Sequence, residues 1–444
     1  MFKLFKQLYL QKRVYIVLGC IIALFVLAFI FPILYNVVWG IFLLLFVTVL
    51  VDITLLFTKK DNINAVRILP EKLSNGDDNV IYISVENKYN ITIHCTIIDE
   101  IPFQFQKRDF EINRTIPSKE LKTISYNLRP TERGEYIFGK LNVYISSPLK
   151  LISRRLIFCD QANLATYPSF IQMKKYDLMA FSKNKYTYGM KKIRKIGNTT
   201  EFEQIKEYVL GDDIRNINWK ATAKSSQLMV NQFQDENTET IYNIIDRGRV
   251  MQMPFKGLSL LDYAINSTLA LSNVILKKND KVGLMTFNEN ITNQLPAESK
   301  ISQLQKVMEQ LYRVKTNFVE SDFGKLYAHI RHKITHRSLI ILYTNFESLS
   351  SLNRQLPYLR AIAKNHVLLV VFFENTELTK LTKKKAKNSD DIFDKVIAEK
   401  FNFEKRLIVN ELTKYGIQSI LTAPEDLSIN TINKYLQIKA KGSL

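Results

Sequence analysis

Cysteine is scarce, with three in 444 residues: Cys20, Cys95 and Cys159. An odd count without framework spacing excludes a disulfide scaffold and fits a reducing compartment. Cys20 lies in an apolar N-terminal run, and the other two are isolated in strand-like stretches, where a thiol behaves as a small hydrophobe. Catalytic signatures are absent too. No P-loop, metalloprotease motif, nucleophile elbow or Cys-x-x-Cys pair occurs. Gly324-Lys325 lacks the upstream glycine and the following Ser/Thr of a phosphate loop. His329, His332 and His336 share a helical spacing, but Arg331, Lys333 and Arg337 intervene, which reads as a solvated basic face. No constellation points to an enzyme. Acidic residues are outnumbered, 42 against 62 Lys plus Arg, for a net charge of +20. Such a balance suits nucleic acid, an acidic protein or an anionic membrane surface. With no aromatic-basic RNA motif or zinc-finger spacing, nucleic acid is not expected, and a basic membrane-proximal protein is.

What is present begins with two apolar runs, Val14–Leu34 without charge and Val37–Phe57 with Asp52 alone. Each spans about 21 residues, enough at about 1.5 Å per residue to cross a hydrocarbon core of roughly 30 Å. Tyr35 and Asn36 separate them and Pro32 helps close the first helix, giving a tight helical hairpin embedded in the lipid bilayer. A cleaved signal peptide would show one shorter apolar region and small cleavage-site residues. Lys3, Lys6, Lys12 and Arg13 precede the hairpin and Lys59, Lys60 and Arg67 follow it, so both termini and the rest of the chain are expected in the cytoplasm. Asp52 lies near the cytoplasmic end, where pairing with Lys59 or Lys60 is expected.

Residues 61–165 alternate in short runs: Asn79–Val85, Ile91–Ile97, Lys122–Leu128, Leu141–Ile145 and a last strand at Leu151–Cys159. This spacing predicts a small antiparallel β-sandwich, a spacer or interaction module without catalytic groups. Residues 166–236 form a linker. Within it, Thr200 and Glu203 spell a capping box for a helix over Glu201–Val209, and Gly211-Asp212-Asp213 a turn.

From 237 to 444 strands alternate with helices. Strands are expected at Ile241–Ile245, Lys281–Phe287, Ser338–Thr344, Val367–Phe373 and Gln418–Leu421. Helices are expected at Leu258–Leu276 (amphipathic), Ile301–Leu311, Phe323–Ile334, Leu352–Lys364, Asp391–Tyr415 and Ser428–Ala440. Near-continuous apolar strands between helices predict a mainly parallel, doubly wound α/β sheet, with ligands at the carboxyl ends of its strands. The basic run Lys380–Lys387 is expected as an exposed loop.

The stretch Glu201–Lys224 reads E-F-E-Q-I-K-E-Y-V-L-G-D-D-I-R-N-I-N-W-K-A-T-A-K. It resembles the signature of the bacterial proteins catalogued as domain of unknown function 58, carried here by Glu201, Phe202, Tyr208, Gly211, Asp212, Asp213, Arg215, Trp219, Lys220 and Ala221. The paired apolar helices and Arg129–Gly139 (R-P-T-E-R-G-E-Y-I-F-G) match that layout too. The resemblance implies a von Willebrand factor A-like domain over residues 237–444. It also implies an accessory protein of the bacterial inner (cytoplasmic) membrane, working with a MoxR-type AAA+ ATPase in assembly or activation of membrane or envelope client proteins.

Such domains often hold Mg²⁺ with a D-x-S-x-S motif plus a threonine and an aspartate. Mg²⁺ asks for hard oxygen ligands in octahedral geometry. Here the motif position reads Asp246-Arg247-Gly248-Arg249-Val250, so two serines are missing. Thr316 stands as the threonine and Asn345 where an aspartate belongs. With one carboxylate left and Arg247 and Arg249 beside it, no cofactor is expected and Mg²⁺ is disfavoured. Asp246 is expected either to pair with a nearby arginine or to lie under an arginine that meets a partner carboxylate directly. A metal-dependent, adhesion-type receptor is the alternative.

Overall fold

The computed structural model describes residues 7–57, 62–173, 201–209, 212, 214–225, 227–234, 238–384 and 388–442. It divides into two compact units, residues 1–167 and 168–444.

The first unit opens with a short strand β1 (Leu8–Leu10), then α1 (Lys12–Ile30) and α2 (Tyr35–Phe57). Both helices are long and apolar enough to cross a membrane. The first stops at Ile30, not Leu34, and a 3-10 turn at Pro32–Leu34 joins the two. Pro32 has no N–H to give and disfavours helix at Phe31 before it, so the break falls at the proline. Ile21, Ala28 and Val38 are buried between the helices, and Phe25 meets Trp39 edge-on at 6.0 Å.

Ten further strands follow: β2 (Ile63–Ile68), β3 (Leu73–Ser74), β4 (Asn79–Asn87), β5 (Ile93–Asp99), β6 (Glu111–Ile116), β7 (Leu121–Leu128), β8 (Gly134–Phe138), β9 (Leu141–Ser146), β10 (Ile152–Phe158) and β11 (Ala162–Tyr167). They form a sheet of order β1-β10-β9-β5-β6 and two smaller ones, β2-β4-β7 and β3-β11-β8. Period-2 alternation sends Ile81, Ile83 and Val85 of β4 inward and leaves Val80 and Tyr82 exposed. The Arg129–Gly139 signature is structural here: it carries β8, whose Tyr136 and Phe138 are fully buried.

Two polar features hold this unit. Arg67 donates from Nη1 to Asp99 Oδ1 at 2.5 Å and from Nη2 to the Gly139 carbonyl at 2.9 Å, and Tyr126 donates to Asp99 Oδ2 at 2.5 Å. The end of α2 is gripped as well. Asp52 is fully buried and accepts the backbone N–H of Ile152 at 3.1 Å and of Leu151 at 3.3 Å. The backbone donors at the start of β10 thus serve one carboxylate oxygen; the expected pairing with Lys59 or Lys60 lies outside the described residues. The Leu56 carbonyl accepts from Arg154 Nη1 at 2.9 Å and from the Tyr89 hydroxyl at 2.7 Å. A cation at a helix C-terminus is the favourable polarity.

The second unit starts with the antiparallel pair β12 (Glu201–Glu207) and β13 (Met229–Gln234), linked through a one-turn helix α3 (Trp219–Thr222). The helix expected over Glu201–Val209 is thus a strand. Thr200 lies outside the described residues, and the ladder to β13 supplies the backbone partners that a helix would otherwise provide. The α/β part runs β14 (Thr240–Asp246), β15 (Pro254–Phe255), β16 (Leu258–Ser259), α4 (Leu260–Lys277), β17 (Lys281–Phe287), β18 (Ile291–Glu298), α5 (Ser302–Tyr312) and α6 (Phe323–Lys333). It continues with β19 (Leu339–Tyr343), α7 (Leu349–Asn365), β20 (Val367–Phe373), α8 (Thr376–Lys383), α9 (Ser389–Lys414), β21 (Gln418–Thr422) and α10 (Leu427–Lys441).

The main sheet has the order β18-β17-β14-β19-β20-β21. Its strands are parallel except β18, an antiparallel edge. The chain leaves β14 for β17 on one side and returns to β19 on the other, so β14 sits at a topological switch point. Helix α4 is not amphipathic. It is buried along almost its whole length, and its polar side chains are used inside: Asn243 Nδ2 meets Ser272 Oγ at 3.3 Å, and Ser267 meets the Tyr343 hydroxyl at 3.4 Å. The basic run is also partly helical, since Lys380–Lys383 belong to α8; 385–387 lie outside the described residues.

The Arg67–Asp99 pair generates a prediction. Both side chains are almost fully buried, so Asp99→Ala leaves an unpaired cation in the core and is expected to cost about 3–5 kcal/mol. Denaturant unfolding of the intact chain, followed by fluorescence, checks it; a loss below about 1 kcal/mol would contradict the role.

Candidate functional site

The carboxyl end of β14 builds the site. Asp246 is its last residue, and Thr344 follows β19 in the same layer. Asp246 is buried, with 1% of its surface exposed. Three internal donors surround it: Thr344 Oγ1 reaches Oδ2 at 2.7 Å, the Gly248 N–H reaches Oδ1 at 2.8 Å, and Ser321 Oγ also donates to Oδ1. Burial pushes the Asp246 carboxyl above its ordinary range, and the two hydroxyls and the Gly248 N–H pull the other way.

Gly248 is small for a reason. A Cβ there would run into Ser321 Oγ and lie 3.1 Å from the Val319 carbonyl. A hydroxyl is therefore present near the motif's missing serine, but it comes from the loop before α6. The pairing of Asp246 with a nearby arginine, one of the two expectations, is replaced by these hydroxyl and backbone donors.

The remaining candidates fall as follows. Arg247 turns away: its Nε donates to the Lys315 carbonyl at 3.0 Å and its Nη1 to Thr292 Oγ1 at 2.6 Å. Thr316 is partly buried and makes no hydrogen bond to Asp246; Ser321 and Thr344 hold that place. Asn345 is buried and accepts from Lys405 Nζ at 2.7 Å. Arg249 is exposed and lines a cleft of about 70 Å³ together with Asp246, Glu320, Ser321, Thr344 and Arg354. A row of rings underlies it: Phe287 to Phe323 at 5.4 Å, Phe323 to Phe346 at 6.3 Å and Phe346 to Phe372 at 6.2 Å.

The signature residues form a separate polar staple. Glu201 and Phe202 lie on β12, and the Tyr208 N–H donates to the Leu228 carbonyl at 2.8 Å. Asp212 accepts from Lys206 Nζ at 2.8 Å and the Val209 N–H at 3.0 Å, and the Lys206 bond, then the Val209 bond, lower its pKa. Gly211 and Asp213 lie outside the described residues. Arg215 is exposed in a 3-10 turn. Asn218 caps α3 by accepting the Ala221 N–H at 3.0 Å, and Thr222 Oγ1 accepts the Met229 N–H at 3.0 Å, tying the turn to β13. Lys220 is exposed, and Trp219, 70% exposed, presents its indole outward. The hydrogen bonds to Asp246 come from Gly248, Ser321 and Thr344, none of them in this segment.

Sequence reasoning missed Ser321, Thr344 and Arg354. Thr344 had a signal, since it closes a buried strand in the layer of Asp246. Ser321 and Arg354 had none locally.

Oxygen donors for a divalent cation are few. Asp246 is the one buried carboxylate of the cleft, both nearby hydroxyls already point their protons at it, and Arg249 and Arg354 line the same space. This set does not fit a tightly held Mg²⁺.

The family model described as "Protein of unknown function DUF58" matches residues 204–383. The "Uncharacterized protein YeaD" of Bacillus subtilis (strain 168) is 27% identical over 129 residues, which are 29% of this chain and 32% of the relative. The chain thus matches about a third of the length of that curated relative. Among solved structures, a conserved hypothetical protein BatB from Bacteroides thetaiotaomicron gives a TM-score of 0.32 at 15% identity, covering 46% of this chain and 99% of that one. The CARDB domain of the PF1109 protein from Pyrococcus furiosus gives 0.18 at 12%, covering 23% and 91%. At these scores neither likeness bears on the fold.

Two predictions come from Asp246. Gly248→Ala is expected to destabilise by about 1–3 kcal/mol through overpacking, and Ser321→Gly in the same chain to recover part of it; thermal unfolding of single and double variants reads the coupling. The carboxyl also titrates against stability. Its folded pKa lies above the unfolded value, so its penalty is absent below the unfolded pKa of about 3.9 and sets in as pH rises through the folded one. Asp246→Asn is expected to flatten that dependence, as pH-resolved melting curves would show.

Proposed function

We propose that this chain is a non-enzymatic, membrane-anchored interaction protein whose α/β domain, of von Willebrand factor A-like type, docks a protein partner at the Asp246 cleft. The observation that carries this reading is the pair of exposed guanidinium groups at the cleft. Among the described residues, neither Arg249 nor Arg354 has a side-chain hydrogen bond or ion pair, while the carboxylate below is satisfied internally. Such arginines, over a carboxylate whose oxygens are taken up by internal donors, suit a carboxylate from a partner, bound bidentately. An arginine thus takes the role that a cation has in metal-holding relatives.

The partner we propose is a MoxR-type AAA+ ATPase, acting with this chain on membrane or envelope client proteins. The match over residues 204–383 and the resemblance of Glu201–Lys224 support it. The two apolar helices with basic flanks support a two-pass anchor in the bacterial inner membrane, with both termini and the following domains cytoplasmic.

Crosslinking pull-down from native membranes tests the docking role. Wild-type chain is expected to recover an AAA+ ATPase, and the Arg249→Glu, Arg354→Glu double variant at most about a tenth as much, in line with losing charge-assisted contacts. Equal recovery by both, or recovery of neither ATPase nor membrane client, would sink the proposal. The metal-dependent receptor reading has its own check. Calorimetry with Mg²⁺ or Mn²⁺ is expected to show no submillimolar binding; such binding, lost on Asp246→Ala, would reinstate it.

A further inference from the structure

Asn345 lines a second cavity in this unit, of about 210 Å³, at the carboxyl ends of β19 and β20. Its walls are apolar: Phe255 from β15, Phe373 from β20, Leu378 from α8 and Phe401 from α9. Three charged residues also line it, Glu347, Glu374 and Lys405, of which Lys405 is the cation. Lys405 of α9 lines the cavity and donates from Nζ to Asn345 Oδ1 at 2.7 Å and to the Phe346 carbonyl at 2.5 Å, with the Phe372 ring centroid 5.8 Å away. An ammonium has three protons to give. Two go to neutral oxygens, and among the described residues the third has no hydrogen-bond acceptor.

The surrounding charges do not complete it. Glu347 and Glu374 border the cavity, but Glu347 is exposed and Glu374 Oε1 accepts from Thr379 Oγ1 at 3.0 Å. Among the described residues no carboxylate lies within ion-pair distance of Lys405. Burial pushes the Lys405 amine down to about 8, with the Glu347 charge pulling it back up. Lys405 is partly buried, its two hydrogen-bond acceptors are neutral and the nearby glutamates stay beyond ion-pair distance, so an incoming anion gains by pairing with the remaining proton and its apolar body gains by burial.

We propose that this cavity binds an apolar compound ending in a carboxylate, with the Lys405 ammonium as the anchor and Phe255, Leu378 and Phe401 seating the apolar part. Arg249 and Arg354 do not line this cavity, and Lys405 does not line the Asp246 cleft, so the site does not rest on their docking role. The carboxylate has two possible sources, a free small acid or the carboxyl terminus of a polypeptide.

Four probes test this on the full chain in detergent-free lipid nanodiscs: 3-phenylpropionate, its amide, the tripeptide Gly-Gly-Phe as free acid, and the tripeptide amide. Binding is read by saturation-transfer NMR. Near neutral pH at least one acid is expected to bind about tenfold or more tighter than its amide, the size of a charge-assisted contact. The preference is expected to shrink as pH rises through about 8 and the amine loses its proton. Lys405→Met removes the preference and leaves amide affinity unchanged. Lys405→Arg keeps it at high pH, because arginine stays charged. Leu378→Trp fills the cavity and abolishes binding of acid and amide alike. Tighter binding of phenylpropionate assigns a small acid; tighter binding of the tripeptide acid assigns a chain terminus. Equal binding of acid and amide, no binding by either pair, or a preference that survives both Lys405→Met and Leu378→Trp overturns the proposal.

Discussion

A carboxylate held at the end of a parallel strand, out of reach of water, must collect donors from whatever chain passes nearby. At Asp246 those donors come from three connections: the turn after β14 through Gly248, the loop before α6 through Ser321, and the end of β19 through Thr344. One buried charge thereby ties three otherwise separate loops to one point. The shape of the cleft follows from that. Gly248 has to lack a side chain, Arg247 is carried outward to Thr292 and the Lys315 carbonyl, and Arg249 is left at the rim.

The same logic of burying charge only with partners runs through the first unit. Arg67 and Asp99 sit in the core because a tyrosine hydroxyl and a backbone carbonyl complete them. The net charge of +20 is therefore not a property of the cores. Among the described residues, unpaired guanidinium groups stand at the Asp246 cleft, and α8 carries Lys380 and Lys383 in its last turn.

Much of this was legible in the sequence. Unbroken apolar runs such as Val367–Phe373 can only be buried strands, and alternation in Asn79–Val85 can only serve one wet face, so both classes of strand were placed. Asp246 was picked out because it stands at the motif position that the family resemblance implies. Its partners were not, because Ser321 and Thr344 lie 75 and 98 positions away and no local period encodes that meeting. The strand β12 was hidden by Thr200 and Glu203, a local helix signal that pairing with β13 overrides. Helix α4 read as amphipathic because Ser267, Thr268 and Ser272 look like a wet stripe; only the burial of all three shows that those hydroxyls face protein.

The grip on α2 has a mechanical meaning. Asp52 holds the start of β10, Arg154 and Tyr89 hold the last turn of the helix, and Leu56 is sunk into the sandwich core. The first strand of the same sheet leads directly into α1. Hairpin and sandwich therefore meet through buried contacts from both helices' sandwich-side ends. In the membrane-anchored arrangement proposed above, a hairpin that tilts to match a thinner bilayer would carry the sandwich with it through these contacts.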